Sequence, residues 1–157
     1  MPLSDIYLGL GQDHLQQLLR GVSMGKLRTY QLFDRVKTRL HLGKLNQENL
    51  RKSAPKLWAR LGEHDEELAS DLSQAVLVSH LDMIVAVLDH LEIPHNDGFF
   101  DKDAQIASKL TDGWQQRVYA AFDQKFPPPI LVFYLNHLAH EVSADAPVFQ
   151  PGPGGGK

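Results

Sequence analysis

Cysteine is absent from this chain of 157 residues, which excludes disulfides, thiolate metal sites and thiol nucleophiles. A long hydrophobic run is also lacking, because Ser79, His80 and Asp82 interrupt the most apolar stretch. A membrane-spanning helix is therefore not expected. Residues 1–11 have no basic leader before an apolar run, so the sequence does not predict a secretory signal. Together these absences favour a cytoplasmic protein.

The sequence also lacks any alternation of apolar and polar residues long enough for a β-sheet. Apolar residues instead recur at intervals of three and four, which is the spacing of a helix with one buried face. Gly11, Gly43 and Gly62 close three of these segments. The composition, 43% hydrophobic and 22% charged, is that of an ordinary globular domain. We therefore predict an all-α fold, a single-domain bundle of about six helices over residues 1–142.

The longest predicted helix runs from Asp65 to about Leu91, a range without Gly or Pro. Its apolar positions cover most of the helix circumference, so we expect this helix to be mostly buried at the centre of the bundle or in the seam of a dimer. Asp71, Asp82 and Asp89 fall within about 20° of one another on the helical wheel. These three aspartates are predicted to form a narrow interface strip.

The predicted helices of the second half are separated by prolines. One helix is expected from Asp103 to Phe122, passing through Gly113 without a break. Pro127–Pro129 then begin a last helix, because proline is favoured in the first helical turn. Residues 143–157 contain three prolines and four glycines, which is typical of a flexible tail or an extended arm.

Charge is strongly segregated along the sequence. Between Arg20 and Arg60 there are 11 Lys and Arg against 2 acids, a net charge of +9. Between Leu61 and Asp103 there are 11 acids against Lys102 alone, a net charge of −10. Such segments can neutralise each other within one molecule, across a dimer axis, or against an external polyanion.

Five cations are candidates for contacts with phosphate. Lys52, Lys56 and Arg60 recur every four residues on the helix predicted up to Gly62, which gives a row of cations about 6 Å apart. Arg35 and Arg39 flank the apolar face of the preceding predicted helix. This pattern supports nucleic-acid binding as an alternative function.

A third function class depends on the last helix, where His137, His140 and Glu141 have the order His-x-x-His-Glu. Imidazole and carboxylate groups are common metal ligands, so these three residues are candidates for a metal site. The order differs from both zinc-protease patterns, in which the glutamate directly follows or precedes a histidine of a longer motif. A metal-dependent enzyme of the helical-bundle type is therefore kept as an outside alternative.

Two apolar pairs outside the predicted helices are candidates for packing contacts. Phe99 and Phe100 lie in an acidic turn, and burying each is worth about 1.5–3 kcal/mol, so we expect them to pack on the bundle or on a partner. Val148 and Phe149 leave the same choice between the chain's own core and a neighbour. The function that we predict is a non-catalytic helical protein-interaction module without a cofactor. It is expected to self-associate or to bind another protein through charge-segregated surfaces.

Overall fold

The computed structural model describes residues 3–29, 31, 47–95, 107–142 and 148–150, and no strand occurs among them. The described helices are α1 (Ser4–Leu10), α2 (Gln12–Arg20), α3 (Met24–Thr29), α4 (Gln47–Lys52), α5 (Ala54–Gly62), α6 (Glu66–Val78), α7 (Leu81–His90), a 3-10 turn (Ala107–Lys109), α8 (Trp114–Phe122) and α9 (Pro128–Val142). The all-α class is confirmed for this part of the chain, with more and shorter helices than about six. Arg35, Arg39, Phe99 and Phe100 lie outside the described residues.

The chain divides into two compact units, Met1–Ser79 and His80–Lys157. The first contains α1 to α6 and the second contains α7 to α9. The single bundle over residues 1–142 stays a prediction.

In the first unit, α2 packs against α1, α4 and α5, and α6 packs against α3 and α5. Leu15, Leu18 and Leu19 on one face of α2 are buried. The chain turns between α1 and α2 at Gly11, whose φ of 105° favours glycine over other residues.

A buried hydroxyl pair joins α1 to α6. The hydroxyls of Tyr7 and Ser73 lie 2.8 Å apart. The Ser73 hydroxyl donates to the carbonyl of Ala69 at 2.7 Å, so Tyr7 is the donor in the pair. Burial raises the pKa of Tyr7 well above its ordinary range, and the hydrogen bond to Ser73 opposes this shift only in part.

We expect stability to fall as the pH rises above about 10, the ordinary tyrosine pKa. Above that pH the unfolded chain releases the proton of Tyr7, whereas the folded chain keeps it. The contribution of Tyr7 to the free energy of unfolding therefore falls by up to about 1.4 kcal/mol per pH unit. Urea denaturation from pH 8 to pH 11 measures this loss. The loss should be smaller in Tyr7→Phe than in the unsubstituted protein. Equal losses in the two proteins would contradict the assignment.

The single long helix predicted from Asp65 to Leu91 is wrong, because the structure interrupts it at Ser79 and His80. The Ser79 hydroxyl donates to the carbonyl of Ala75 at 2.8 Å and accepts the backbone N–H of Ser23 at 2.7 Å. A serine that bonds back to the previous turn competes with the helix ladder, and this one also serves a second main-chain group. The helix therefore ends at Val78 and a new one begins at Leu81.

The continuous helix predicted from Asp103 to Phe122 is also wrong over its described residues. A 3-10 turn ends at Lys109, and Gly113 has a left-handed φ of 77° just before α8 begins at Trp114. Arg117 donates to the Asp112 carbonyl at 2.6 Å and holds this turn against the first residues of α8. The apolar residues keep a helical spacing across this break, but the backbone between Lys109 and Trp114 is not helical.

The longest described helix is α9, with 15 residues. It begins at Pro128, as predicted, and nine of its residues are buried. α8 packs against it, and the side-chain amide of Gln115 donates to the Leu135 carbonyl at 3.3 Å. The most extensively buried of the described helices is therefore the last one.

None of the described helices is both long and apolar enough to cross a membrane by itself. Two consecutive ones, α6 and α7, reach that length and hydropathy only when they are taken together across the break at Ser79 and His80.

Candidate functional site

Asn136 is a polar residue in the buried part of α9, where its side chain is 3% exposed. Its neighbours Leu135 and Val132 are apolar and buried as well. A buried amide costs free energy unless its donors and acceptor are hydrogen-bonded. The partners of Asn136 therefore matter to the fold.

Both ends of the Asn136 amide bind the main chain of Phe149. The Phe149 N–H donates to Oδ1 at 2.6 Å, and Nδ2 donates to the Phe149 carbonyl at 2.9 Å. Nδ2 also donates to the Val132 carbonyl, one helical turn earlier, at 2.9 Å. The amide thus offers Phe149 one acceptor and one donor, the pair of groups that a neighbouring β-strand would offer. It binds the backbone of Phe149 and not the aromatic ring.

The segment on Asn136 is Val148–Gln150, which has no regular secondary structure. Val148 and Phe149 are half-buried and Gln150 is exposed. Five residues, 143–147, link this segment to the end of α9. They can span about 16 Å, whereas the six positions from Asn136 to Val142 occupy about 9 Å of helix. The chain is long enough to return to its own last helix.

The metal-site candidates on α9 come together only as a pair. Nδ1 of His137 lies 3.8 Å from Oε1 of Glu141, one helical turn away. Within the described ranges, no group of three or more His, Asp and Glu side chains is placed to hold a metal ion. The role of His140 stays a prediction.

Tyr134 carries the other buried polar group of α9. Its hydroxyl is buried and has no hydrogen-bond partner among the described residues. Burial, followed by the negative charge of Glu141, raises the pKa of Tyr134 well above its ordinary range. The phenol is therefore neutral at physiological pH.

The predicted basic row is interrupted between its first two members. Lys52 ends α4 and Lys56 lies in α5, with Ser53 between the two helices. Lys52 lies 3.7 Å from Glu48, and Arg60 forms an ion pair with Asp65 at 2.5 Å. Lys56 is exposed and has no ion-pair partner among the described residues. One cation of the three is thus left unopposed.

The predicted aspartate strip is also divided. Asp71 lies in α6 and is 4% exposed, whereas Asp82 and Asp89 lie in α7 and are exposed. Asp89 lies 2.7 Å from Nε2 of His95. The three residues were placed on one wheel on the assumption of a continuous helix, and the break at Ser79 removes that assumption.

Ser4, His64 and Glu66 form a cluster that the sequence did not predict. The Ser4 hydroxyl donates to Glu66 at 2.5 Å and lies 3.1 Å from Nδ1 of His64. Asp5 lies 3.6 Å from the same nitrogen. A catalytic triad needs the serine and the acid on opposite ring nitrogens and a serine that substrate can reach. Ser4 is fully buried, so this cluster fixes the start of α1 and is not a nucleophile site.

An open cleft of about 320 Å³ lies in the second unit. His90, Glu92, Lys109 and Arg117 line it together with Trp114. Cations and an anion are mixed in this lining. Lys109 and Arg117 outnumber the single acid Glu92, which gives only a weak preference for an anion. Asn136 is the better-defined site.

Comparison with protein-family models, with curated proteins and with solved structures finds no match. Asn136 was missed from the sequence, although an amide inside the apolar run from Ile130 to Leu138 was a visible signal.

Proposed function

We propose that the protein is a helical-bundle interaction module that holds an extended peptide segment on α9. The observation that carries this proposal is the pair of hydrogen bonds between the Asn136 amide and the main chain of Phe149. Extended segments are commonly bound through their main chain, with affinity from backbone hydrogen bonds and specificity from side-chain pockets. The expected activity is binding, without a chemical step.

The two bonds to Phe149 also set the energy of the contact. If the segment leaves, Asn136 keeps its bond to Val132 and exchanges both bonds to Phe149 for bonds to water. Each bond to Phe149 is therefore worth about 0.5–1.5 kcal/mol net of hydration. The site favours an extended segment that offers both main-chain groups.

Nucleic-acid binding has less support. Binding of phosphates needs several cations that are free to release their counterions. Lys52 and Arg60 lie beside carboxylates, and Lys56 is the remaining exposed member of the row. Of the row Lys52, Lys56 and Arg60, Lys56 alone lacks an ion-pair partner among the described residues, and a single cation is too few for strong binding.

The test uses a substitution that removes a single main-chain donor. Phe149→Pro has no N–H at position 149 and cannot bond Oδ1 of Asn136, so the chain's own segment should leave the site. We expect a fluorescent peptide with the sequence of residues 145–151 to bind this variant at least tenfold more tightly than it binds the unsubstituted protein. Fluorescence anisotropy measures the two Kd values. Phe149→Ala is the matched control, because it keeps both main-chain groups.

Adding Asn136→Leu to the Phe149→Pro variant should weaken peptide binding about tenfold or more, since about 1.4 kcal/mol corresponds to a factor of ten. Leucine has the same branched heavy-atom skeleton as asparagine and leaves no unsatisfied amide, so the fold should tolerate it at a modest cost for its larger methyl groups. A peptide with proline in place of Phe149 should not bind. Equal binding with and without the Asn136 amide would overturn the proposal.

A further inference from the structure

The contact on Asn136 does not depend on which molecule supplies the segment. It uses the N–H and carbonyl of Phe149, and every residue except proline has both groups. A second copy of the chain carries an identical segment and an identical amide. The same hydrogen bonds can therefore form within one copy or between two.

We infer that this site also joins two copies of the chain, with Val148–Gln150 of each copy bound to Asn136 of the other. The inference rests on the proposed function, because it names the peptide that the site takes. Reciprocal exchange uses each site and each segment once, so the assembly closes as a two-fold dimer. Among possible partners, a second copy is the one whose segment already fits the site.

The length of the linker sets the conditions for exchange. Residues 143–147 tether the segment to its own α9 and give it an effective concentration of the order of mM at its own site. At µM protein concentrations the intramolecular contact therefore dominates. The dimer becomes the main species when the protein is concentrated or when one of the intramolecular contacts is disabled.

The experiment mixes two complementary full-length variants. Asn136→Leu keeps an intact segment and lacks the site, whereas Phe149→Pro keeps the site and lacks a competent segment. Each variant alone should be monomeric by sedimentation velocity and by native mass spectrometry. An equimolar mixture, at concentrations above the peptide Kd measured with Phe149→Pro, should form a one-to-one heterodimer. The doubly substituted protein, which has neither the site nor a competent segment, is the matched control and should stay monomeric at the same total concentration.

The outcomes separate this inference from the proposed function. A monomeric mixture, together with normal binding of the labelled peptide to Phe149→Pro, overturns exchange and leaves the peptide site standing. A monomeric mixture without peptide binding overturns both. A dimer that also forms in the doubly substituted control would arise from another surface, and it overturns the assignment of the interface to Asn136.

Discussion

Phe133→Ala is expected to lower the free energy of unfolding by about 3–5 kcal/mol, the largest effect that we predict. Phe133 is 0% exposed on α9, the most extensively buried helix of the second unit. Removing the ring loses the free energy gained by burying it. It also leaves a cavity that the neighbouring side chains fill only in part. A loss of this size is a large fraction of the stability of an ordinary domain. Urea denaturation followed by circular dichroism measures it.

Phe133→Leu provides the matched control for this prediction. Leucine keeps most of the volume and all of the apolar character, so its cost should stay below about 1.5 kcal/mol. A similar loss in both variants would mean that ring shape, and not cavity volume, sets the stability at this position. A loss below about 1 kcal/mol in Phe133→Ala would contradict the burial of this side chain.

Glu66→Ala is expected to lower the free energy of unfolding by about 1.5–3 kcal/mol, the usual worth of hydrogen bonds to a charged group. One carboxylate accepts the backbone N–H of Leu3 at 2.7 Å and the buried Ser4 hydroxyl at 2.5 Å. The first N–H groups of a helix have no partner within the helix, so Glu66 supplies an acceptor for the start of α1 from a distant part of the sequence. Urea denaturation gives the total loss.

Hydrogen exchange at the Leu3 and Ser4 amides tests the assignment directly. Both amides should exchange faster in Glu66→Ala, whereas amides within α9 should keep their rates. Glu63→Ala removes an exposed acid three residues earlier and should change stability by less than about 0.5 kcal/mol. Unchanged exchange at Leu3 in Glu66→Ala would disprove the contact.

The parts of the fold that the sequence predicted correctly depend on local signals. The helix predicted to start at Asp65 begins there, because the Asp65 carboxylate caps α6 by accepting the N–H of Leu68 at 3.0 Å. The last helix begins at Pro128, as the prolines at 127–129 predict. Each of these signals acts within four residues, so no knowledge of the tertiary structure was needed.

The wrong predictions failed where a distant partner decides the local conformation. From the sequence, Ser79 is compatible with a helix. In the structure its hydroxyl accepts the N–H of Ser23, 56 positions away. The start of α1 likewise depends on Glu66, whose carboxylate accepts the Ser4 hydroxyl from 62 positions away. Helical spacing alone cannot detect either contact, because it records only which faces are apolar.

The contact between Asn136 and residues 148–150 could not be predicted either, because it also joins distant parts of the sequence. The spacing showed that Asn136 lies in an apolar helix, but it could not show that residues 148–150 return to that helix. The sequence left Val148 and Phe149 open between the chain's own core and a neighbour. The structure places Phe149 on α9 of the same chain, and the proposed exchange extends that contact to a neighbour.

Recognition through main-chain groups also determines which mutations the docked segment can tolerate. Because the amide of Asn136 is indifferent to the identity of the residue that it holds, position 149 is free to drift among nineteen amino acids, with proline as the forbidden one. Evolutionary constraint should therefore concentrate on Asn136 in α9, while the sequence of the docked segment varies.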